Sequence, residues 1–147
     1  MPIAYFTENV TLPKQFKKNL LKQWIKEIIL NFGSKTGDIT FIFCDNEKIL
    51  SINQQYLHHD YYTDIITFDY TVGDIVTGEL YISLEMVITN SEKFKTSYIN
   101  EIYRVMIHGI LHLCGIKDKT KNEKRCMTLE ENKALELLNR RIELVRK

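Results

Sequence analysis

Residues 37–57, GDITFIFCDNEKILSINQQYL, change structural period part-way along. The first eight, Gly37 to Cys44, are rich in β-branched and aromatic side chains, a composition that suits a strand. Asp45 then stands where a carboxylate can accept a backbone N–H at a helix start, and Ile49, Ile52 and Leu57 follow at helical spacing. A strand running directly into a capped helix is a building unit of mixed folds.

The same alternation extends in both directions. Upstream, AYFTENV (residues 4–10) reads as a first strand, and Pro13 sits near the start of a helix carrying Phe16, Leu20, Trp24 and Ile28, which ends near Gly33. Downstream, TDIITFDY (63–70) and GELYIS (78–83) read as strands, and Ser83 caps a helix from about Leu84 to Phe94. A further helix spans Tyr98 to Cys114, with Gly115 placed to close it in the left-handed conformation. Thr120 and Glu123 have capping-box spacing ahead of a last helix with Met127, Ala134, Leu135, Leu138 and Ile142. The class is α/β or α+β.

The chain has 147 residues, which suits one domain spanning 1–147; no repeat or linker divides it. A net charge of +1 and a pI of about 7.7 do not mark a strongly basic nucleic-acid binder. No basic leader precedes an apolar run, and no window is long and apolar enough to span a membrane, so a cytosolic protein is expected. Three cysteines, Cys44, Cys114 and Cys126, form no close pair and are expected to be reduced, mostly buried thiols.

The chemistry concentrates in HGILHLCGIKD, residues 108–118. On a helix, residues four apart share a face, so His108 and His112 project in parallel and can meet one ion. Gly115 lets the chain turn back, which brings Asp118 to the position of a third ligand. The helix is otherwise apolar apart from the stripe Glu101, Arg104, His108 and His112, so its imidazoles need partners. Two imidazoles and a carboxylate suit one zinc ion, leaving a fourth position for water whose pKa falls towards about 7. Nickel, iron and manganese accept the same donors.

Gly109 stands where zinc peptidases of the H-E-x-x-H type keep their general base, which argues against peptidase chemistry. Glycine inside a buried helix costs up to about 1 kcal/mol relative to alanine, so another element or a substrate is expected to approach its backbone. A base must come from elsewhere, and Asp64, Glu79 and Glu101 are the candidates.

The segment resembles the hallmark H-G-x-L-H-L-x-G-x-D-H of the YbeY family, bacterial ribosomal-RNA maturation factors described as metal-dependent single-strand endoribonucleases. INQQYLHHDYYTDIITFDY (52–70) is similar to a second stretch of that family through Asn53, Tyr56, Asp60, Thr63, Asp64 and Phe68, and GELYIS to a third. The likeness spans roughly residues 45–130. Two departures stand out: Lys117-Asp118 replaces the family's Asp-His, making the third ligand a carboxylate, and Leu57 replaces an arginine given a role in RNA handling or catalysis.

The resemblance implies a small mixed, mostly parallel sheet packed with helices, and a metal-binding helix bordering a cleft. It also implies single-stranded RNA as substrate, small-subunit ribosomal RNA and its 3′ end in particular, and association with the ribosome or small-subunit proteins. For RNA contact the residues offer lysines in FKKNLLKQWIK (16–26) and KDKTKNEKR (117–125), aromatics in HHDYYTD (58–64), and His58, His59 and Arg104 as individual candidates. An alternative reading is a non-catalytic RNA-binding ribosome-assembly factor with a structural metal, Leu57 marking lost chemistry.

Overall fold

A computed structural model describes residues 3–58 and 63–146. The elements run β1 (Ile3–Thr7), α1 (Lys18–Asn31), β2 (Lys35–Cys44), α2 (Asn46–Tyr56), β3 (Ile65–Asp69), β4 (Ile75–Ser83), α3 (Leu84–Lys93), α4 (Tyr98–Leu113) and α5 (Lys121–Arg146). The strands form one sheet in the order β1-β2-β4-β3, with β1, β2 and β4 parallel and β3 antiparallel at the edge. This is the mixed α/β fold, with the mostly parallel sheet that the resemblance implied.

Because strand side chains alternate between faces, the sheet builds two cores of unequal size. Ile39, Phe41 and Phe43 of β2 and Leu80 and Ile82 of β4 join α1, α4 and α5 in the main core. On the opposite face Cys44 and Ile66 meet Ile49 and Ile52 of α2 in a smaller one. Trp24 of α1 is fully buried, and its Nε1 donates to the Ala134 carbonyl of α5 at 2.7 Å, so the two outer helices are locked together.

The helix starts follow capping chemistry. Asp45 accepts from the Lys48 N–H at 2.9 Å, Ser83 from that of Met86 at 3.2 Å and Ser97 from that of Asn100 at 3.2 Å. Thr120 and Glu123 close a reciprocal capping box, with bonds of 3.1 and 2.9 Å.

Two expectations need correction. Helix α1 starts at Lys18, not near Pro13: residues 13–16 form a turn closed by the Phe16 N–H on the Pro13 carbonyl. Phe16 is drawn out of the helical row because its ring packs against Tyr5, Phe43 and Tyr103. Of the thiols, Cys44 is buried and Cys114 half-buried, but Cys126 lies on the exposed side of α5.

Candidate metal centre

Helix α4 is buried along most of its length, including Ile102, Val105, Met106, Gly109, Ile110 and Leu113. It can lie close to the sheet because Gly109 has no side chain: a Cβ there would fall 2.2 Å from Leu80 Cδ2 and 2.8 Å from Ile65 Cδ1. The neighbour expected near this glycine is therefore the sheet itself.

The helix ends in a Schellman motif. The Ile116 N–H reaches back to the Leu111 carbonyl at 3.0 Å, the Gly115 N–H to that of His112 at 3.0 Å, and Gly115 has φ of 97°. The reversal returns Asp118 to the histidine stripe. Its Oδ2 lies 3.4 Å from His108 Nε2 and 3.3 Å from His112 Nε2, and one donor atom from each of the three residues falls within 4.8 Å of the others.

The two separations from Asp118 Oδ2 fit a shared cation. Ligand bonds of about 2.0–2.1 Å in a tetrahedron place neighbouring donors about 3.3–3.4 Å apart. The donors are two imidazoles and a carboxylate, each able to bind a divalent ion in its deprotonated form.

A cleft of about 550 Å³ opens beside the cluster, with His108, His112, Leu113 and Asp118 on one wall. Thr63, Asp64, Ile65, Thr67 and Asp69 form the other, contributed by β3 and the residues before it. Ile65, Thr67 and Asp69 alternate with Ile66 and Phe68, which turn towards α2, so the edge strand shares one face with the cleft and the other with the smaller core.

The three acid candidates separate by position. Asp64 lines the cleft, and Asn90 Nδ2 donates to its Oδ2 at 3.2 Å. Burial raises its carboxyl above the ordinary range, against the pull of His108 and of backbone N–H groups. Glu101 is buried, accepts from Thr96 Oγ1 at 3.4 Å, and borders a smaller cavity of about 230 Å³ shared with Asp64, Arg104, His108 and Glu131. Glu79 is on the wrong side of the sheet: its neighbours Gly78 and Leu80 face α4, so it points away and accepts from the Tyr70 hydroxyl at 3.1 Å.

The RNA-contact candidates also separate. Arg104 places Nη1 3.2 Å from Glu131 Oε1 and 3.4 Å from Asn132 Oδ1, with Nε 3.8 Å from Glu101, so its guanidinium is engaged within the fold. His58 follows the exposed end of α2 with φ of 57°, and among the described residues that line the cleft neither it nor Leu57 appears. His59 and Asp60 lie outside the described residues.

One participant was not foreseen. Glu131 of α5 is buried, and its Oε2 lies 2.6 Å from His108 Nδ1. Burial alone would lower the pKa of His108, but the Glu131 hydrogen bond and the charges of Glu131, Asp118 and Asp64 outweigh it and raise the imidazole above its usual value. Cys114, next to the cluster in sequence, is pushed up to about 11 by burial and by the charge of Asp69, so it is a protonated thiol at neutral pH.

The fold and cluster define a class of mixed α/β proteins in which a histidine helix, its trailing loop and an edge strand enclose donors fit for one divalent cation. The chain belongs to the endoribonuclease YbeY family, whose model matches residues 3–139. It is 55% identical to the endoribonuclease YbeY of Parabacteroides distasonis over 138 residues, covering 94% of this chain and 96% of that protein. To the protein of the same name from Porphyromonas gingivalis it is 46% identical, covering 95% and 92% of the two chains. A protein from Thermotoga maritima, known from its solution structure, superposes with a TM-score of 0.64 at 28% identity, over 92% of this chain and 88% of that one.

Proposed function

We propose that this protein is a metal-dependent endoribonuclease that cuts single-stranded RNA, acting on ribosomal RNA and the 3′ end of the small-subunit RNA in particular. The single observation that carries the reading is the approach of His108, His112 and Asp118 beside an open cleft, in a chain of the YbeY family. The three residues hold one zinc ion, and association with the ribosome or its small-subunit proteins follows from the same reading. The same reading puts its work on RNA in the cytoplasm; among the described residues no helix is long and apolar enough to cross a membrane.

A divalent ion held by His108, His112 and Asp118 would supply Lewis acidity and make water a better nucleophile at neutral pH. Asp64 takes a proton from the attacking water. Its half-buried carboxyl, held by Asn90 and raised above the ordinary range by burial, is a stronger base than a free surface aspartate. Thr63, Thr67 and Asp69 on the facing wall bound the space in which the scissile phosphodiester lies.

His112→Ala tests the reading. Tag-free protein analysed for metal should contain about one zinc per chain, whereas the variant should lose both the metal and cleavage of single-stranded RNA. Full zinc occupancy in the variant would remove His112 from the centre. A metal-loaded wild type without cleavage would favour the assembly-factor reading, to which Leu57 points.

A further inference from the structure

Glu131 couples two observations that the metal reading does not use. It is a buried carboxylate on a helix that supplies no donor to the cluster, and its two oxygens are divided between two residues of α4. Oε2 lies 2.6 Å from His108 Nδ1, and Oε1 accepts from Arg104 Nη1 at 3.2 Å. Arg104 and His108 are one helical turn apart, so a single carboxylate of α5 spans both. The opposite ring nitrogen of His108, Nε2, is the one directed at Asp118.

An imidazole that must present a lone pair from Nε2 has to carry its proton on Nδ1, and an acceptor at Nδ1 selects that form and fixes the ring's orientation. His108 lies on the cleft wall with its side chain 24% exposed, and an acceptor at Nδ1 fixes which nitrogen the ring turns to the cleft. We propose that Glu131 is a positioning residue: it accepts the His108 Nδ1–H, aims Nε2 at the cation, and is itself held in place by Arg104. The proposal rests on the metal reading above and adds a residue from outside the segment 108–118. It also explains why Arg104 is engaged within the fold.

Zinc chloride titrated against the full chain with a competing chelator measures the first consequence. Glu131→Ala should weaken zinc binding by about 10–100-fold. Glu131→Gln keeps one acceptor oxygen for the His108 Nδ1–H but turns its amide NH2 towards Arg104, so its zinc affinity should fall between those of wild type and Glu131→Ala. A residue that merely joined α4 to α5 would change the melting temperature of both variants without this partial rescue.

Nitrogen-15 spectra of the zinc-loaded wild type measure the second, and need no variant. His108 should show a slowly exchanging Nδ1–H and a coordinated Nε2. Coordination of His108 through Nδ1, equal zinc affinity in Glu131→Ala, or a Gln variant as weak as the Ala variant would each overturn the proposal. A wild type that binds no zinc overturns the metal reading and this one together, whereas a wild type that loads beside an equally competent Ala variant overturns this one alone.

Discussion

Gly109 of α4 and Leu80 of β4 are in contact across the main core with no Cβ between them: the missing atom would lie 2.2 Å from Leu80 Cδ2. Helix and sheet are thereby drawn together at the level of the first histidine. Alanine at 109 favours the helix by up to about 1 kcal/mol, but overpacking a buried contact costs about 1–3 kcal/mol. The net expectation for Gly109→Ala is a loss of stability of about 1–2 kcal/mol in urea unfolding. Leu80→Ala in the same chain should cost less than the sum of the two single changes, since it empties the space into which the new methyl intrudes.

Asp64 and Glu101 are both carboxyls raised by burial, but only Asp64 lines the cleft with the histidines. Asp64→Asn should lower cleavage by about 10²–10⁴-fold while leaving the zinc content unchanged. Glu101→Gln should change cleavage by less than about tenfold, since its carboxyl is occupied with Thr96 and Arg104. The reverse ranking, measured on a defined single-stranded RNA, would move the base to Glu101.

Glu101 has its own signature in stability. Burial raises its carboxyl, with the charge of Arg104 opposing and that of Asp64 adding, so the folded state holds this proton more tightly than the unfolded chain does. The stability it contributes is therefore complete below an ordinary carboxyl pKa of about 4.3 and is lost as the pH rises through the higher folded value. Urea midpoints of wild type and Glu101→Gln, compared from acid to neutral pH, should diverge in favour of the Gln variant as the pH rises.

Leu57 caps the C-terminal end of α2 and stands where the resemblance to the family implies an arginine. A guanidinium bonded to phosphate contributes about 1.5–3 kcal/mol through charge-assisted hydrogen bonds. Leu57→Arg should raise kcat/KM for RNA by about tenfold, from a wild-type activity that is already metal-dependent. A rise from no detectable cleavage would show that the native protein has lost the reaction and only binds RNA.

Trp24 links stability to the site. Trp24→Phe removes the donor to the Ala134 carbonyl in a fully buried contact between α1 and α5 and should cost about 1–3 kcal/mol. Because α5 also carries Glu131, zinc affinity should fall in the same variant, by less than in Glu131→Ala.

The parts of this molecule written in local sequence were legible from it. His108, His112 and Asp118 lie within eleven positions of one another, and their convergence follows from helical pitch and a glycine turn. The caps at Asp45, Ser83 and the Thr120–Glu123 box are local in the same way. What escaped depends on distant packing. Glu131 sits in an ordinary charged stretch, and only the docking of α5 against α4 gives it His108 as a partner. Glu79 could be excluded only once Gly78 and Leu80 were known to face α4. Helix α1 starts later than its pattern suggests because Phe16 keeps a helical interval from Leu20 while packing with the aromatic cluster outside the helix.

The turn at Gly115 separates the third donor from the first two. It meets no neighbour within 4 Å of where its Cβ would be, and the residues that follow it are partly exposed up to the cap at Thr120. On the proposed metal reading, Asp118 could therefore part from the two histidines through a change in this turn alone, with the sheet and both helices intact. Loading and release of an ion there would then depend on the conformation of residues 115–120 and not on denaturation of the whole chain.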